Sequence, residues 1–372
     1  MVINNPEPNK QAKIKVVGVG GGGSNAVSRM YKERIPGIEY HVVNTDTQAL
    51  ITSDVQMRTS IGDILTEGKG VGGNPEIGMK AAEESREELS ETFSECDMVF
   101  VAAGMGGGTG TGAAPVIAEV VKNTGALTVG VVTTPFSFEG TRRMKNAEEG
   151  IQKLAKHVDT LLIIPNDRLQ VVCKEEMTTS NAFKMADDVL RLGVQSIAEL
   201  ITVPGEINLD FADVQSIMKD AGPAWMSIGY GVGENRSRDA AHQAISNPLL
   251  EVSVDGATGV LFNITGGSDL KLSELHEAAE VLQEVVDPNC NIIFGMTTDP
   301  RMENEIKLTV IATGFTAAGN PISDDYDNDL QELLETADEE NEQEKQLKSS
   351  DIDLPPFLRR ISRYRSQTSS KK

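Results

Sequence analysis

Cysteine is scarce in this chain: Cys96, Cys173 and Cys290 lie far apart among 372 residues. That excludes a disulfide framework or a cysteine-based zinc site and fits a reducing, cytosolic setting. Histidine is as sparse. His41, His157, His242 and His276 are too scattered to ligate one metal, so no dedicated protein metal site is expected. Positive charge is in deficit, with 34 Lys and Arg against 56 Asp and Glu and a net charge of −22, which argues against a nucleic-acid-binding face. No apolar run reaches the ~20 residues of a membrane span. The first residues, Met1 to Pro6, lack the basic and apolar regions of a signal peptide, so a cytoplasmic protein is expected.

Glycine, by contrast, is abundant and clustered, with 35 residues. The densest stretch is Gly104-Met105-Gly106-Gly107-Gly108-Thr109-Gly110-Thr111-Gly112. Before it runs Met98–Ala103, apolar and β-branched enough for a strand buried on both faces. After it, Ala113–Lys122 reads as a helix with Pro115 in its first turn. Strand, glycine run and helix together form a phosphate cradle: the backbone can approach an anion without Cβ clashes, and loop N–H groups and the helix N-terminus supply positive partial charge. A flexible linker would lack the flanking strand and helix. No Lys-Ser/Thr pair closes the loop, so it is not a Walker-type P-loop. Its threonines offer hydroxyls to phosphate or to a phosphate-bound Mg²⁺.

A second such unit comes earlier, with strand Ile14–Val19, the run Gly20-Gly21-Gly22-Gly23-Ser24-Asn25 and helix Ala26–Met30. Gly18, Gly20 and Gly23 also fit G-x-G-x-x-G, with Asp46 near the acidic position of a dinucleotide fold, but a dinucleotide domain needs only one glycine cradle. A third glycine loop, Gly68–Pro75, precedes a helix over Ile77–Leu89. Strands Tyr40–Asn44, Leu127–Thr134 and Thr160–Asp167 alternate with helices, including Arg142–Leu154, which predicts a parallel α/β sheet with its loops gathered at one edge as a single nucleotide pocket.

Thr179–Ile201 reads as a long helix with more than one apolar stripe, packed between two bodies of structure and stopped at Pro204-Gly205. Beyond it lies a smaller α+β domain of helices Asp213–Met218, Asp239–Ser246 and Leu272–Val286. Its strands are Trp225–Tyr230, Gly259–Thr265, Asn291–Met296 and Ile306–Thr313. The expected organisation is a polar N-terminus over 1–12, a nucleotide domain over 13–178, a central helix over 179–203 and the α+β domain over 204–315. An acidic disordered linker over 316–350 carries half the net charge together with Asp351 and Asp353, and 351–372 is an apolar islet ending in a basic tail. The islet places Ile352, Leu354, Pro356, Phe357 and Leu358 ahead of Arg359, a pattern suited to docking in a partner's groove.

Gly107–Gly112 resembles the signature loop of the tubulin/FtsZ GTPase family. With Gly20–Asn25, Asn208–Val214 and the terminal peptide, the resemblance covers nearly all of 13–315 and 351–360. It implies a Rossmann-type GTPase domain joined by the long helix to the α+β domain, and a cytoskeletal GTPase polymerising head-to-tail into the ring that divides the cell. GTP or GDP would be held by Gly21, Gly22, Gly23, Ser24, Asn25, Asn44, Gly72, Gly104, Gly107, Gly108, Thr109, Gly110 and Thr111. Glu139 would take the ribose, Arg143 approach the phosphates, Phe183 stack on the base, and Asn166 and Asp187 read its edge, with Mg²⁺ held through the nucleotide. A carboxylate at Asp187 suits guanine, which offers N1–H and an exocyclic amine, over adenine, whose N1 is a lone pair.

Taken alone, Asp210-x-x-Asp213 is a helix cap. In the family reading Asn208, Asp210 and Asp213 are catalytic in trans, entering the adjoining subunit's pocket. The terminal peptide would then dock to membrane tethers of the FtsA, SepF or ZipA type at the division site, with membrane contact only indirect.

Overall fold

The computed structural model describes residues 12–172, 179–203, 205–207, 209–246 and 256–315. The N-terminus, Asn208, the acidic linker and the docking peptide with Ile352, Leu354, Pro356, Phe357, Leu358 and Arg359 lie outside the described residues.

Apolar runs without alternation form the parallel centre. Strands β1 (Ile14–Val19), β2 (Ile38–Asn44), β3 (Met57–Ser60), β4 (Met98–Gly104), β5 (Leu127–Thr134) and β6 (Thr160–Pro165) pair in the order β3-β2-β1-β4-β5-β6, all parallel. β1 and most of β4 are buried on both faces, as such runs require. Strand order reverses between β1 and β4, so the loops leaving these strands open into a crevice at their C-terminal ends.

Helices α1 (Gly20–Glu33), α2 (Thr47–Thr52), α3 (Asp63–Thr66), α4 (Pro75–Glu84), α5 (Arg86–Phe93), α6 (Thr109–Asn123), α7 (Thr141–Leu154) and α8 (Asn166–Val172) lie between these strands or follow them. Two of them start a full turn or more earlier than their sequence suggests. α1 absorbs the whole glycine run and α6 begins at Thr109, which places Pro115 inside the helix rather than in its first turn. Glycine's weak helix propensity is overridden by packing. A Cβ on Gly23 would sit 2.2 Å from the Ala102 carbonyl oxygen, so only glycine lets α1 lie this close to β4. The helix expected over 77–89 breaks at Ser85 into α4 and α5, and the polar end of β6 turns into α8.

The sheet does not stop at β6. The first residues of β7 (Gly222–Val232) continue it in parallel through Thr160↔Gly222, Leu161↔Pro223 and Leu162↔Ala224. β10 (Glu305–Thr313) then runs antiparallel between β7 and β8 (Gly259–Gly266), and β9 (Asn291–Thr298) closes a ten-stranded sheet. The central helix α9 (Thr179–Thr202) buries Leu190, Val194, Ile197 and Ala198. They share one core with Val16 and Val129 of the parallel half, with Val214 and Ile217 of α10 (Phe211–Met218), and with Leu261 and Ile311 of the α+β half. A second core joins Trp225, Phe262, Ile264 and Val310 to Ala240 and Ala244 of α11 (Arg236–Ile245) and Leu275, Ala278 and Leu282 of α12 (Leu272–Gln283).

Candidate functional site

The loops at the crevice fit together through glycine. Gly20 has φ +69°, and a Cβ there would lie 2.6 Å from Gly110 N; one on Gly22 would approach Gly104 Cα at 3.4 Å. One on Gly108 would strike Val71 Cγ2 at 2.4 Å and Asn74 N at 2.9 Å. The Gly104 loop therefore touches both the Gly20 loop and the Gly68 loop. Gly21, Gly107, Gly72 and Gly73 differ: a Cβ on any of them would meet nothing within 4 Å. These four leave bare backbone facing open space beside the helix N-termini, the arrangement a phosphate chain requires.

The loop after β4 is braced. Met105 N–H donates to Thr133 O (2.9 Å), Gly106 N–H to Thr111 Oγ1 (2.8 Å), and the Thr45 and Thr109 hydroxyls bond each other (2.9 Å). Thr109 and Thr111 are both buried, so their oxygens hold the shape of the cradle. Ser24 Oγ and Asn166 Oδ1 are buried without a hydrogen-bond partner among the described residues. A buried polar atom of this kind needs a partner, and a bound ligand or water supplies one. Asn25 is exposed at the start of α1, and buried Asn44 accepts from Asp46 N–H at 3.3 Å. Asp46 itself caps α2, accepting from Gln48 N (2.9 Å) and Ala49 N (3.3 Å), so it serves as a cap rather than as the acidic residue of a dinucleotide fold.

On the far side of the crevice Glu139 accepts from Phe136 N–H (2.9 Å) and pairs with Arg143 at 2.8 Å; the carboxylate is buried and the guanidinium half-exposed. Phe183 is 42% exposed and stands edge-on to Phe136, their centroids 5.6 Å apart, leaving ring surface open. One turn along α9, Asp187 pairs with Arg29 of α1 at 3.2 Å. Burial pushes the Asp187 carboxyl up to about 6, against the pull of Arg29 and with a further push from Asp188. Asp187 is the more enclosed of the two carboxylates, at 15% against 39% side-chain exposure. Arg29, Thr45 and Phe136 were not evident from sequence, because each takes its place through a contact with another loop or helix.

Asp210 and Asp213 are not brought to this cradle. They form a reciprocal cap on α10, Asp213 N–H donating to Asp210 Oδ1 (2.8 Å) and Asp210 N–H to Asp213 Oδ2 (3.3 Å). α9 carries the chain ~22 Å along its axis from Asp187 to Thr202, which meets Gly37 at the N-terminal end of β2. The acidic loop starts from there. Among the described residues no group of three His, Cys, Asp or Glu side chains could hold a metal ion, and no helix is long and apolar enough to cross a membrane.

A family model for the GTPase domain of the Tubulin/FtsZ family matches residues 13–174, and one for the C-terminal domain of the FtsZ family matches residues 222–316. A solved structure of an empty FtsZ dimer from M. jannaschii is 46% identical over 82% of this chain and 89% of its own, with a TM-score of 0.78. The chain belongs to the FtsZ family. Two Haloferax volcanii proteins share the fold of this FtsZ-family chain at lower identity. GDP-bound CetZ1 is 23% identical over 88% of this chain and 99% of its own, with a TM-score of 0.71. CetZ2, a GTPγS-bound protofilament, is 20% identical over the same shares, with a TM-score of 0.72.

Proposed function

We propose that this chain binds and hydrolyses GTP at the β1/β4 crevice and assembles head-to-tail into filaments of the cell-division ring, each active site completed by the adjoining subunit. The observation that carries the reading is the separation of two half-sites. An open glycine cradle with a base platform lies at one end of α9, and a carboxylate pair, Asp210 exposed and Asp213 half-buried, follows its other end. A pair so placed cannot serve its own cradle, whereas a head-to-tail neighbour can present it.

In this reading Gly21, Gly22, Gly107, Gly108 and Gly110 hold phosphates through backbone N–H groups, with Ser24 and Asn25 at the helix N-terminus. Gly72 covers the cradle, Glu139 meets the ribose and Arg143 the phosphates. Phe183, Asn166 and Asp187 take the guanine. The donor set suits Mg²⁺ bound through phosphate oxygens, where it would offset negative charge. Asp210 and Asp213, with Asn208, orient and deprotonate the attacking water. The solved relatives, an FtsZ dimer, a GDP-bound monomer and a GTPγS-bound protofilament, agree with nucleotide binding and self-assembly. The terminal peptide, ending in Leu358-Arg359, would tether filaments through FtsA-, SepF- or ZipA-type partners on the inner face of the membrane.

The capping geometry of Asp210 and Asp213 favours a second reading, in which the pair is purely structural and the chain a GTP-binding scaffold. Asp210→Asn separates the two, because asparagine caps as well as aspartate but carries no charge. The first reading expects GDP affinity and thermal midpoint to hold while assembled turnover falls about 10²–10⁴-fold. Unchanged phosphate release would leave only the cap.

A further inference from the structure

We propose that Arg29 is a positioning residue of the base site, its guanidinium holding the Asp187 carboxylate ionised and in register for the paired N–H donors of a guanine edge. The inference rests on the reading of Asp187 as the base acceptor and adds a residue to it.

Arg29 lies on α1, nine residues after Gly20, so the helix whose N-terminus faces the proposed phosphates also carries this cation, ~13 Å further along. The guanidinium is held at three points on α9. Nη2 meets Asp187 Oδ2 at 3.2 Å, Nη1 meets Asp188 Oδ1 at 3.7 Å, and Nη1 donates to the Lys184 carbonyl at 3.4 Å. A group fixed this way spends little further entropy in fixing its partner. The partner needs fixing. Asp187 is largely enclosed, next to a second carboxylate and one turn from the Phe183 ring, and both burial and Asp188 favour its protonated form. Protonation turns one carboxyl oxygen into a donor, so the group no longer offers one acceptor oxygen to each of guanine's two N–H groups. The charged groups that bear on Asp187 are Arg29 from α1 and Asp188 from α9 itself; Arg29 alone opposes protonation. Further down the same helix pair, Arg191 of α9 engages Glu33 of α1 at 2.8 Å, so α1 and α9 stay joined when Arg29 is replaced.

The test is equilibrium binding of GDP and ADP to the full-length chain between pH 5 and 9. In Arg29→Met the pH at which GDP affinity falls to half its plateau should rise by about one unit or more, the size of shift a neighbouring arginine exerts on an aspartate. At pH 6 the variant then binds GDP at least about fivefold more weakly than the native chain, the gap narrows toward pH 9, and preference over ADP declines in step. Arg29→Lys should restore most of the native midpoint, and Asp188→Asn should lower it.

A uniform loss of affinity at every pH, or an unmoved midpoint in both Arg29→Met and Asp188→Asn, overturns the inference. Should Arg29→Met fail to fold, Arg29→Lys and Asp188→Asn still read the midpoint. Asp187→Asn separates this failure from that of the base-site reading. If it binds GDP as tightly as the native chain, the base-site reading fails. If it loses GDP while Arg29→Met keeps the native midpoint, only the role of Arg29 fails.

Discussion

At the scale of single residues, the site rests on glycines of two kinds. Gly112 is filled by protein: a Cβ there would lie 2.0 Å from Pro75 O and 2.6 Å from Met79 N, both backbone. Gly107 is open. Gly107→Ala should leave the unfolding free energy from urea titration within ~0.5 kcal/mol of native while weakening GDP binding, whereas Gly112→Ala should lose ~2–3 kcal/mol because α4 must move off α6. Equal losses of stability from both would remove the case for an open cradle. Asp187 adds a pH dependence. With its carboxyl at about 6 in the free chain, and the ionised form required for guanine, GDP affinity should fall as pH drops through that value. Isothermal titration should show binding about tenfold weaker at pH 5 than at pH 7, with Asp187→Asn weak and flat across the same range.

Legibility at this scale divided by distance along the chain. The glycine runs announce themselves because the backbone requirement is local and the glycines adjoin a buried strand. Phe183 and Asp187 carried no chemistry of their own in the sequence and were reached only through family resemblance. Arg29 was missed, since its partners on α9 lie more than 150 positions away.

At the scale of elements, buried strands were the easiest to read. Leu127–Thr134 has the bounds its apolar run implies, and β4 differs from its run by one residue. β3 escaped notice because it is four residues long with only Thr59 buried, and α2 and α3 are too short to show a helical period. The early starts of α1 and α6 were hidden by glycine and by Pro115, where propensity and packing point in opposite directions. α9 showed its two-sided burial in its sequence, and the core it shares with both halves of the chain is the physical counterpart.

At the scale of the whole molecule, one sheet runs through both of the bodies expected from the sequence. The seam is narrow. Three residue pairs join β6 to β7, beside the Thr160 hydroxyl, which donates to Met218 O at the end of α10, and Lys122, which bridges Asp159 (3.2 Å) and Asp220 (3.1 Å). Such a seam depends on register between distant segments, which no local pattern encodes. It fixes the C-terminal end of α10, and so the helix whose N-terminus carries Asp210 and Asp213, to the framework that holds the cradle.

The proposed trans arrangement also predicts complementation. A chain with a damaged cradle, Gly107→Arg, and one with a damaged acidic loop, Asp210→Asn, should each hydrolyse GTP poorly. Mixed, they should regain part of the native rate, because some junctions then pair an intact cradle with an intact carboxylate pair. No gain over the separate rates would place both halves of the site in one subunit.

The most direct measurement is phosphate release per subunit as the native chain is diluted at fixed GTP, Mg²⁺ and salt, with assembly followed in parallel by light scattering. If the neighbour supplies the acidic pair, the rate per subunit collapses as scattering disappears. A rate per subunit that stays constant from filaments down to monomers contradicts the account.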